Sequence, residues 1–405
     1  MNLLTNKDSC NGCGACYQAC PKGCISMHPD SEGFLYPQID PKECIHCGAC
    51  LAACPAQKEW PIPTSFPGNH PTPPCYAARV NDNSILKNSS SGGLFSLFSQ
   101  YAVKNGYAVA GVRWNSDFSA AQFDLARTPE VLPQFMGSKY LQADTAGIYK
   151  RIKQCLKSGE GVLFFGTACQ ITALYQFLKD RPESLTTIEI ICHGVPSPML
   201  WNLHLKTTQA KMGIEAFTKI EFRNKSHGWE KYCLLFEGTK DGSPVAQLEP
   251  FTQDTYFRLF LKNLSLRPAC YHCKYKKQRC GADLTIGDFW KVSKYLRKFN
   301  DDTGLSCCCV NTKKGEKLLS ATKDDGFFHA CKYSWVLSGN PSLEKPVPVN
   351  DQRKTFFDAL LASDTPEAIM EDFASGPLHP RPERKTLLTR ISRLLDALRG
   401  CFATN

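Results

Sequence analysis

The sequence lacks the features that direct a chain into or across a membrane. It has no run of 18 or more apolar residues, and its opening, MNLLTNKDSC, has neither the basic segment nor the apolar core of a secretory signal. It also lacks a recognisable nucleic-acid-binding motif, although its formal net charge is +10. From the residues we expect a cytoplasmic protein with no transmembrane segment and no nucleic acid partner.

Cysteine, by contrast, is abundant, with 22 among 405 residues. Many of the cysteines stand in C-x2-C runs, which are typical of a metalloprotein and not of a small secreted disulfide scaffold. Hydrophobic residues make up 42% of the chain, enough for a folded interior, and the length favours two or three domains. The composition therefore predicts a metal-binding protein with more than one domain.

A twelve-residue segment, CNGCGACYQACP at 10 to 21, recurs as CIHCGACLAACP at 44 to 55. The shared spacing C-x2-C-x2-C-x3-C-P is that of two-cluster ferredoxins, in which the fourth cysteine of each run binds the other cluster. Zinc sites use paired C-x2-C knuckles instead. The spacing predicts two [4Fe-4S] clusters, one held by Cys10, Cys13, Cys16 and Cys54 and the other by Cys44, Cys47, Cys50 and Cys20. Cys24, which is left over, is interpreted as a small core residue.

A proline-rich stretch follows the duplicated motif. Residues 60 to 74 hold six prolines in fifteen positions, which predicts an extended linker. We therefore expect an α+β ferredoxin-like dicluster domain at 1 to 59 and a mixed α/β domain at 75 to 375. Residues 376 to 405 form a basic amphipathic tail, interpreted as a helix docked on its own domain, with weak membrane-surface or partner contact as the alternative.

Strand and helix patterns alternate through the larger domain. We expect buried strands at 161 to 166, 186 to 192 and 283 to 289, and a helix from Leu94 to Val103. A strand is also expected around Cys307, Cys308 and Cys309, whose side chains then face opposite sides of a sheet and cannot all bind one metal.

A second group of cysteines predicts a third metal centre. Cys270 and Cys273 form a C-x2-C pair, and a [4Fe-4S] cluster needs two ligands more. Cys169 and Cys192 each follow a predicted strand, where α/β sheets place their ligand-binding crevice, whereas Cys280 is nearest in sequence. The residues alone leave both ligand sets open.

The turn NSSSGG at 88 to 93 precedes the predicted helix and could bind an anion such as a cofactor phosphate. Such turns also simply cap helices. His193 is interpreted as a local hydrogen-bonding residue, and a hydrolase built on Asp283 and Asp288 lacks its other parts.

Taken in order, these segments resemble the coenzyme F420 hydrogenase/dehydrogenase beta-subunit family, fused to a two-cluster ferredoxin. The segments that carry the resemblance are SSSGGLF, GSKYLQAD at 137 to 144, FFGTACQ, ICHGVPSP, FRNKSHGW at 222 to 229 and CYHCKYKKQRCGADLTIGDFW. Ala168 and Lys291 depart from it, since proline and glycine are common at these positions in the family.

The resemblance implies a flavin, FAD or FMN, in the α/β domain together with at least one [4Fe-4S] cluster. It implies flavin contacts from Ser90, Ser91, Gly92, Gly93, Ser138, Lys139, Tyr140, Gly166 and Thr167. For the third cluster it favours Cys169, Cys192, Cys270 and Cys273 over any set that includes Cys280.

We therefore predict an iron-sulfur flavoprotein oxidoreductase that passes electrons between ferredoxin-type clusters and a flavin. The flavin is expected to react with a small organic redox partner, F420-like or other, and a ferredoxin or another oxidoreductase subunit is the expected protein partner. The alternatives are a non-catalytic electron-transfer subunit and an accessory protein in surface-polysaccharide biosynthesis. No catalytic residue is assigned from the sequence.

Overall fold

A computed structural model of the protein describes residues 6 to 378. The amphipathic stripe predicted at 387 to 398 lies outside these residues. Within the described part, no helix combines the length and the apolar character that a membrane crossing needs.

The N-terminal region repeats one small unit twice. Each cysteine run leads into a five-residue helix, α1 (Ala15–Ala19) and α2 (Ala49–Ala53), and a two-stranded antiparallel sheet of β1 (Ile25–Pro29) and β2 (Leu35–Ile39) lies between them. Gly14 and Gly48 precede the helices with φ of 69° and 73°. This left-handed conformation suits glycine, and it bends both loops in the same way.

Residues 75 to 375 form a larger α/β body. Its strands are β3 (Cys75–Val80), β4 (Ala108–Trp114), β5 (Ala121–Ala126), β6 (Val162–Gly166), β7 (Leu185–Ile190), β8 (Ala216–Asn224), β9 (Cys233–Lys240), β10 (Ser243–Pro250), β11 (Leu284–Asp288), β12 (Ser306–Val310) and β13 (Gly326–Cys331). Its helices are α3 (Asn83–Asn88), α4 (Leu94–Lys104), α5 (Ile148–Lys157), α6 (Ala168–Leu178), α7 (Pro198–Met212), α8 (Thr255–Leu261), α9 (Pro268–Tyr271), α10 (Val292–Tyr295), α11 (Lys313–Ala321), α12 (Tyr333–Gly339), α13 (Arg353–Ala362) and α14 (Pro366–Ala374).

Eight strands make one sheet in the order β13-β3-β12-β11-β7-β6-β4-β5. Strands β4, β6, β7 and β11 run parallel, and β3 runs with them because both it and β11 pair antiparallel with β12. The carboxyl ends of these five strands therefore share one edge of the sheet. Ligands of α/β proteins bind at such an edge.

Helices cover both faces of the central strands, so these strands are largely buried. All five residues of β6, VLFFG, are buried, and so are all five of β12, SCCCV. Cys307 and Cys309 pack on one side of the sheet and Cys308 on the other, which confirms the predicted alternation. Strands β8, β9 and β10 form a separate antiparallel sheet.

Candidate functional site

The duplicated motif brings its cysteines together in two sets. The first set, called the inner set below, consists of Cys10, Cys13, Cys16 and Cys54. Burial raises the pKa of the Cys16 thiol to about 12, and the nearby charges of Cys10 and Cys54 add to this rise. Burial also raises the pKa of Cys13, with Cys16, Cys10 and Cys54 contributing. The fourth cysteine of the second run thus joins the first three of the first run.

The second set, called the outer set, consists of Cys20, Cys44, Cys47 and Cys50. These cysteines line one small cavity. The set lies at the surface, since Cys47 is exposed and the neighbouring Ile45 is 56% exposed.

Cys24 also lines the outer-set cavity, with its Sγ 3.4 Å from the Sγ of Cys20. This contact with Cys20 raises the pKa of Cys24 to about 11. Cys24 is half-buried and packs against a small buried cluster that includes Cys20 and Ile25, so its interpretation as a small core residue stays a prediction.

The larger domain holds a third set of cysteines, Cys169, Cys192, Cys270 and Cys273. Cys169 lies in the first turn of α6, Cys192 follows β7, and the other two lie in and just after α9. Burial raises the pKa of Cys169 to about 12, with the charges of Cys273 and Cys192 adding to it. Burial likewise raises the pKa of Cys270 to about 12, helped by Cys169 and Cys273. Four thiols from three separate segments therefore lie close enough to raise one another's pKa.

Backbone and side-chain hydrogen bonds hold the cysteines of the third set in place. The backbone N–H of Val195 donates to the Sγ of Cys270 at 3.5 Å, and Thr167 Oγ1 lies 3.3 Å from the Sγ of Cys169. Lys276 Nζ donates to the carbonyl oxygen of Cys192 at 2.6 Å. A positive charge thus lies against the third set.

Cys280 faces a different environment. It is fully buried, and burial raises the pKa of its thiol, with the carboxylate of Glu189 as the next cause. Glu189 in turn accepts a 2.8 Å hydrogen bond from Thr285 Oγ1. The structure therefore brings Cys280 to the sheet and not to the other four cysteines.

Tyr275 lies between the inner set and the third set. Burial raises the pKa of its hydroxyl, and the next causes are the thiols of Cys13, Cys169, Cys54 and Cys273, two from each set. The hydroxyl is buried and has no hydrogen-bond partner among the described residues. The two sets are therefore neighbours across the domain interface.

The predicted flavin residues lie at the carboxyl edge of the sheet. The turn after α3 contacts the loop that follows β5, because the backbone N–H of Ser138 donates to Ser90 Oγ at 2.8 Å. Ser91 Oγ donates to the carbonyl oxygen of Leu305 at 3.1 Å. Gly166 ends β6 and Thr167 caps α6 through a reciprocal bond with Gln170.

Gly92 and Gly93 have a packing reason to be glycine. A Cβ on Gly92 would stand 2.4 Å from the carbonyl oxygen of Ala78 and 2.7 Å from the nitrogen of Ser306. Gly93 has a φ of +79°, and a Cβ there would meet Val80. The turn thus presses its backbone onto β3 and β12.

Lys139 and Tyr140 differ in their surroundings. Lys139 Nζ donates to three backbone carbonyls of its own loop, at 2.8 to 3.3 Å, and burial lowers its pKa to about 7. Tyr140 packs edge-on against Phe222 and Phe257 in the core. The ring of Tyr140 is therefore part of the hydrophobic core.

The two acidic residues of the competing hydrolase idea lie apart. Asp283 precedes β11 and binds Thr187 and Thr312, whereas Asp288 ends the strand. Asp288 accepts two bonds from Arg223, at 3.0 and 3.1 Å. Neither carboxylate is available as one of a catalytic pair. His193 bonds to Asn263 at 2.6 Å, as a local hydrogen-bonding residue does.

Arg267 and Gln142 contact the inner set, and sequence reasoning missed both. Arg267 Nε donates to the carbonyl oxygen of Cys10 at 2.6 Å, and its NH1 donates to Gln142 Oε1 at 2.8 Å. Gln142 Nε2 donates to the carbonyl oxygen of Asn11 at 3.1 Å. Gln142 stands inside GSKYLQAD, one of the segments that carry the family resemblance, and Arg267 lies three residues before Cys270; these positions were the available signal.

Among residues 6 to 378, no three His, Cys, Asp or Glu side chains converge tightly enough to hold a single metal ion. The three cysteine sets are instead groups of four thiols, the number and ligand type that a [4Fe-4S] cluster takes. Each buried thiol must lose its proton when metal binds, so cluster assembly has to displace these protons.

Comparison with known proteins identifies three segments. Residues 9 to 58 match a 4Fe-4S dicluster domain. Residues 75 to 149 and 159 to 334 match the N-terminal and C-terminal models of the coenzyme F420 hydrogenase/dehydrogenase beta subunit. Together the two subunit models match more than half of the chain.

A search of curated proteins found no match. Among solved structures, a chain of the F420-reducing [NiFe] hydrogenase complex from Methanosarcina barkeri is 18% identical, with a TM-score of 0.45. The match covers 73% of this chain and 94% of that chain.

Proposed function

Because the chain belongs to the coenzyme F420 hydrogenase/dehydrogenase beta-subunit family and carries a 4Fe-4S dicluster domain, we propose that it is an iron-sulfur flavoprotein oxidoreductase. Three clusters and a flavin form its electron path. The flavin exchanges electrons with a small organic molecule, F420-like or other, and a redox protein such as ferredoxin or a further oxidoreductase subunit serves the other end.

One observation carries this proposal, the meeting of Cys169, Cys192, Cys270 and Cys273 beside the inner set. A cluster held there would receive electrons from the dicluster domain and pass them into the α/β domain. The inner and outer sets hold the two ferredoxin clusters, with ligands crossed between the repeats as the spacing predicts. Each set offers four thiols, so its donor chemistry fits a [4Fe-4S] cluster.

The outer set is the entry point for a partner protein. Its cavity opens beside the exposed Ile45, His46 and Cys47, whereas the inner set has no exposed cysteine and its first loop contacts Arg267 and Gln142 of the larger domain. Electron exchange between proteins requires close approach of one centre to the surface. The order of transfer is therefore outer cluster, inner cluster, third cluster and flavin, in either direction.

The flavin proposal rests on the sheet edge. Ser90, Ser138 and Gly166 come from separate segments that end at the carboxyl edge of the parallel strands, where cofactors bind. A flavin there would supply the conversion between one-electron and two-electron transfer. Lys139, whose pKa is lowered to about 7, would place a positive charge near its phosphate or reduced ring below that pH.

The test is the iron and flavin content of protein purified without oxygen. The proposal predicts about 12 irons and one releasable flavin per chain. Cys273→Ser is expected to lose about four of these irons and keep the spectrum of the dicluster domain. Cys280→Ser is the matched control, since Cys280 lies in the same segment but contacts Glu189, and it is expected to keep them all.

About 8 irons and no flavin in the wild-type protein would contradict the enzyme proposal. The alternative, a non-catalytic electron-transfer subunit, would then be favoured. The close packing of Gly92 against Ala78 and Ser306 agrees with this alternative, because it explains the need for glycine without a bound flavin.

A further inference from the structure

The arginine that precedes the third set, Arg267, is fully buried at the interface with the dicluster domain. All of its guanidinium nitrogens make contacts there. Besides the bonds to Cys10 and Gln142, NH2 donates to the carbonyl oxygen of Leu35 at 2.9 Å and lies 3.6 Å from the Sγ of Cys10. The guanidinium also stacks over Tyr36, 4.2 Å from its ring centre.

These partners are all neutral as long as the Cys10 thiol keeps its proton. No carboxylate of the described residues lies within ion-pair distance of Arg267, and the other contacts are two carbonyls, an amide and two aromatic rings. A buried charge without an opposite charge is strongly destabilising. The ligand Cys10 is therefore the one group in contact with Arg267 that becomes negative when a cluster binds.

We propose that Arg267 is the counter-charge of the cluster held by the inner set and raises its reduction potential above that of the outer cluster. This inference rests on the proposed function only for the use of the cluster as a relay. Each reduction adds a negative charge to the cluster, and a fixed guanidinium at a ligand sulfur favours the reduced form. Electrons entering at the outer cluster would therefore be drawn inward.

Arg267 also links the inner set to the third set. Its backbone N–H donates to the carbonyl oxygen of Val195 at 2.9 Å, and its carbonyl oxygen accepts from the N–H of Cys270 at 2.9 Å. One residue thus contacts a ligand of the inner cluster with its side chain and a ligand of the third cluster with its backbone.

Arg353 provides a matched control for a merely structural role. It also connects the larger domain to the dicluster domain, through an ion pair with Glu32, and its Nε donates to the carbonyl oxygen of Leu266 at 3.0 Å. It does not contact a cysteine of the inner set. Loss of either arginine weakens the interface, but only loss of Arg267 removes a positive charge from beside a cluster ligand.

The experiment is a potentiometric titration of the three clusters in the full chain, followed anaerobically by electron paramagnetic resonance. In Arg267→Gln we expect the ratio of reduced to oxidised inner cluster at a fixed potential to fall at least tenfold, equivalent to 59 mV for a one-electron couple. Arg353→Gln and Arg267→Lys, which keep the charge at Cys10, are expected to retain the wild-type ratio.

Equal cluster potentials in Arg267→Gln and Arg353→Gln would overturn the proposal. If Arg267→Gln does not assemble its clusters, Gln142→Glu decides the question, because it sets a carboxylate against NH1 of an intact Arg267. It is expected to lower the inner potential, and an unchanged potential would overturn the proposal. A wild-type protein with only two clusters would instead contradict the proposed third cluster. The change in the reduction potential of the inner cluster could still be measured in that protein.

Discussion

The two copies of the cysteine motif have nearly the same sequence and opposite surroundings. In the first copy, a Cβ on Gly12 would stand 2.2 Å from Gln142 and 2.7 Å from Arg267. The second copy has His46 at this position, with a φ of 54°, and this histidine is exposed. Duplication thus supplies two equal loops, and docking onto the larger domain makes one internal and leaves one at the surface.

Gly14 and Gly48, two residues further along each copy, show the same difference in surroundings. A Cβ on Gly14 would meet Thr145 Oγ1 at 2.5 Å, whereas a Cβ on Gly48 would meet nothing within 4 Å. Side chains of the first copy also reach into the larger domain. Tyr17 accepts a bond from the backbone N–H of Gly147, and Gln18 accepts one from that of Tyr149, at 2.8 and 2.9 Å. The buried surroundings of the first copy are therefore built by contacts outside the motif.

The largest expected difference between the copies is in the survival of their clusters. On exposure to air or to a chelator, the first four or so irons lost should come from the outer set, because Cys47 is exposed whereas no cysteine of the inner set is. Resonance spectra recorded during iron release would check the order. Simultaneous loss from both ferredoxin sites would show that their burial does not differ as described.

Gly12→Ala is expected to lower the free energy of unfolding by about 2 to 4 kcal/mol, since it combines overpacking with a left-handed backbone. His46→Ala, at the equivalent exposed position, should change it by less than about 0.5 kcal/mol. Thermal melting of the anaerobic proteins measures both. Equal melting temperatures for the two variants would contradict the docking of the first copy against Arg267 and Gln142.

Gly14→Ala and Gly48→Ala isolate the contact from the backbone, since both glycines have the same conformation. Gly48→Ala should cost about 1 kcal/mol from the left-handed φ alone. Gly14→Ala should cost about 1 to 2 kcal/mol more, because Thr145 and Tyr17 must move. The same melting experiment compares them, and a larger loss in Gly48→Ala would reverse the assignment of inner and outer copies.

Much of the fold could be predicted from local patterns. The strands predicted at 161 to 166, 186 to 192 and 283 to 289 are confirmed as β6, β7 and β11, and the predicted helix at Leu94 is confirmed as α4. Short apolar runs and glycine turns could be recognised because neighbouring residues alone determine these patterns. The pairing of β12 with β3 could not be predicted, because it joins residues more than two hundred positions apart.

The residues of the candidate site could likewise be predicted only in part. Spacing pointed to the cysteines, since a cluster loop is a local structure, but Arg267 and Gln142 act across an interface that no local pattern describes. Lys291 adopts a φ of 65°, which explains why glycine is common there in the family.

An anaerobic reductive titration of the wild-type protein tests the central claim most directly, because it counts the electrons that the chain can hold. Three clusters that each take one electron and a flavin that takes two predict uptake of about five electrons per chain. Uptake of about two electrons, the capacity of the dicluster domain alone, would contradict an electron path through the larger domain.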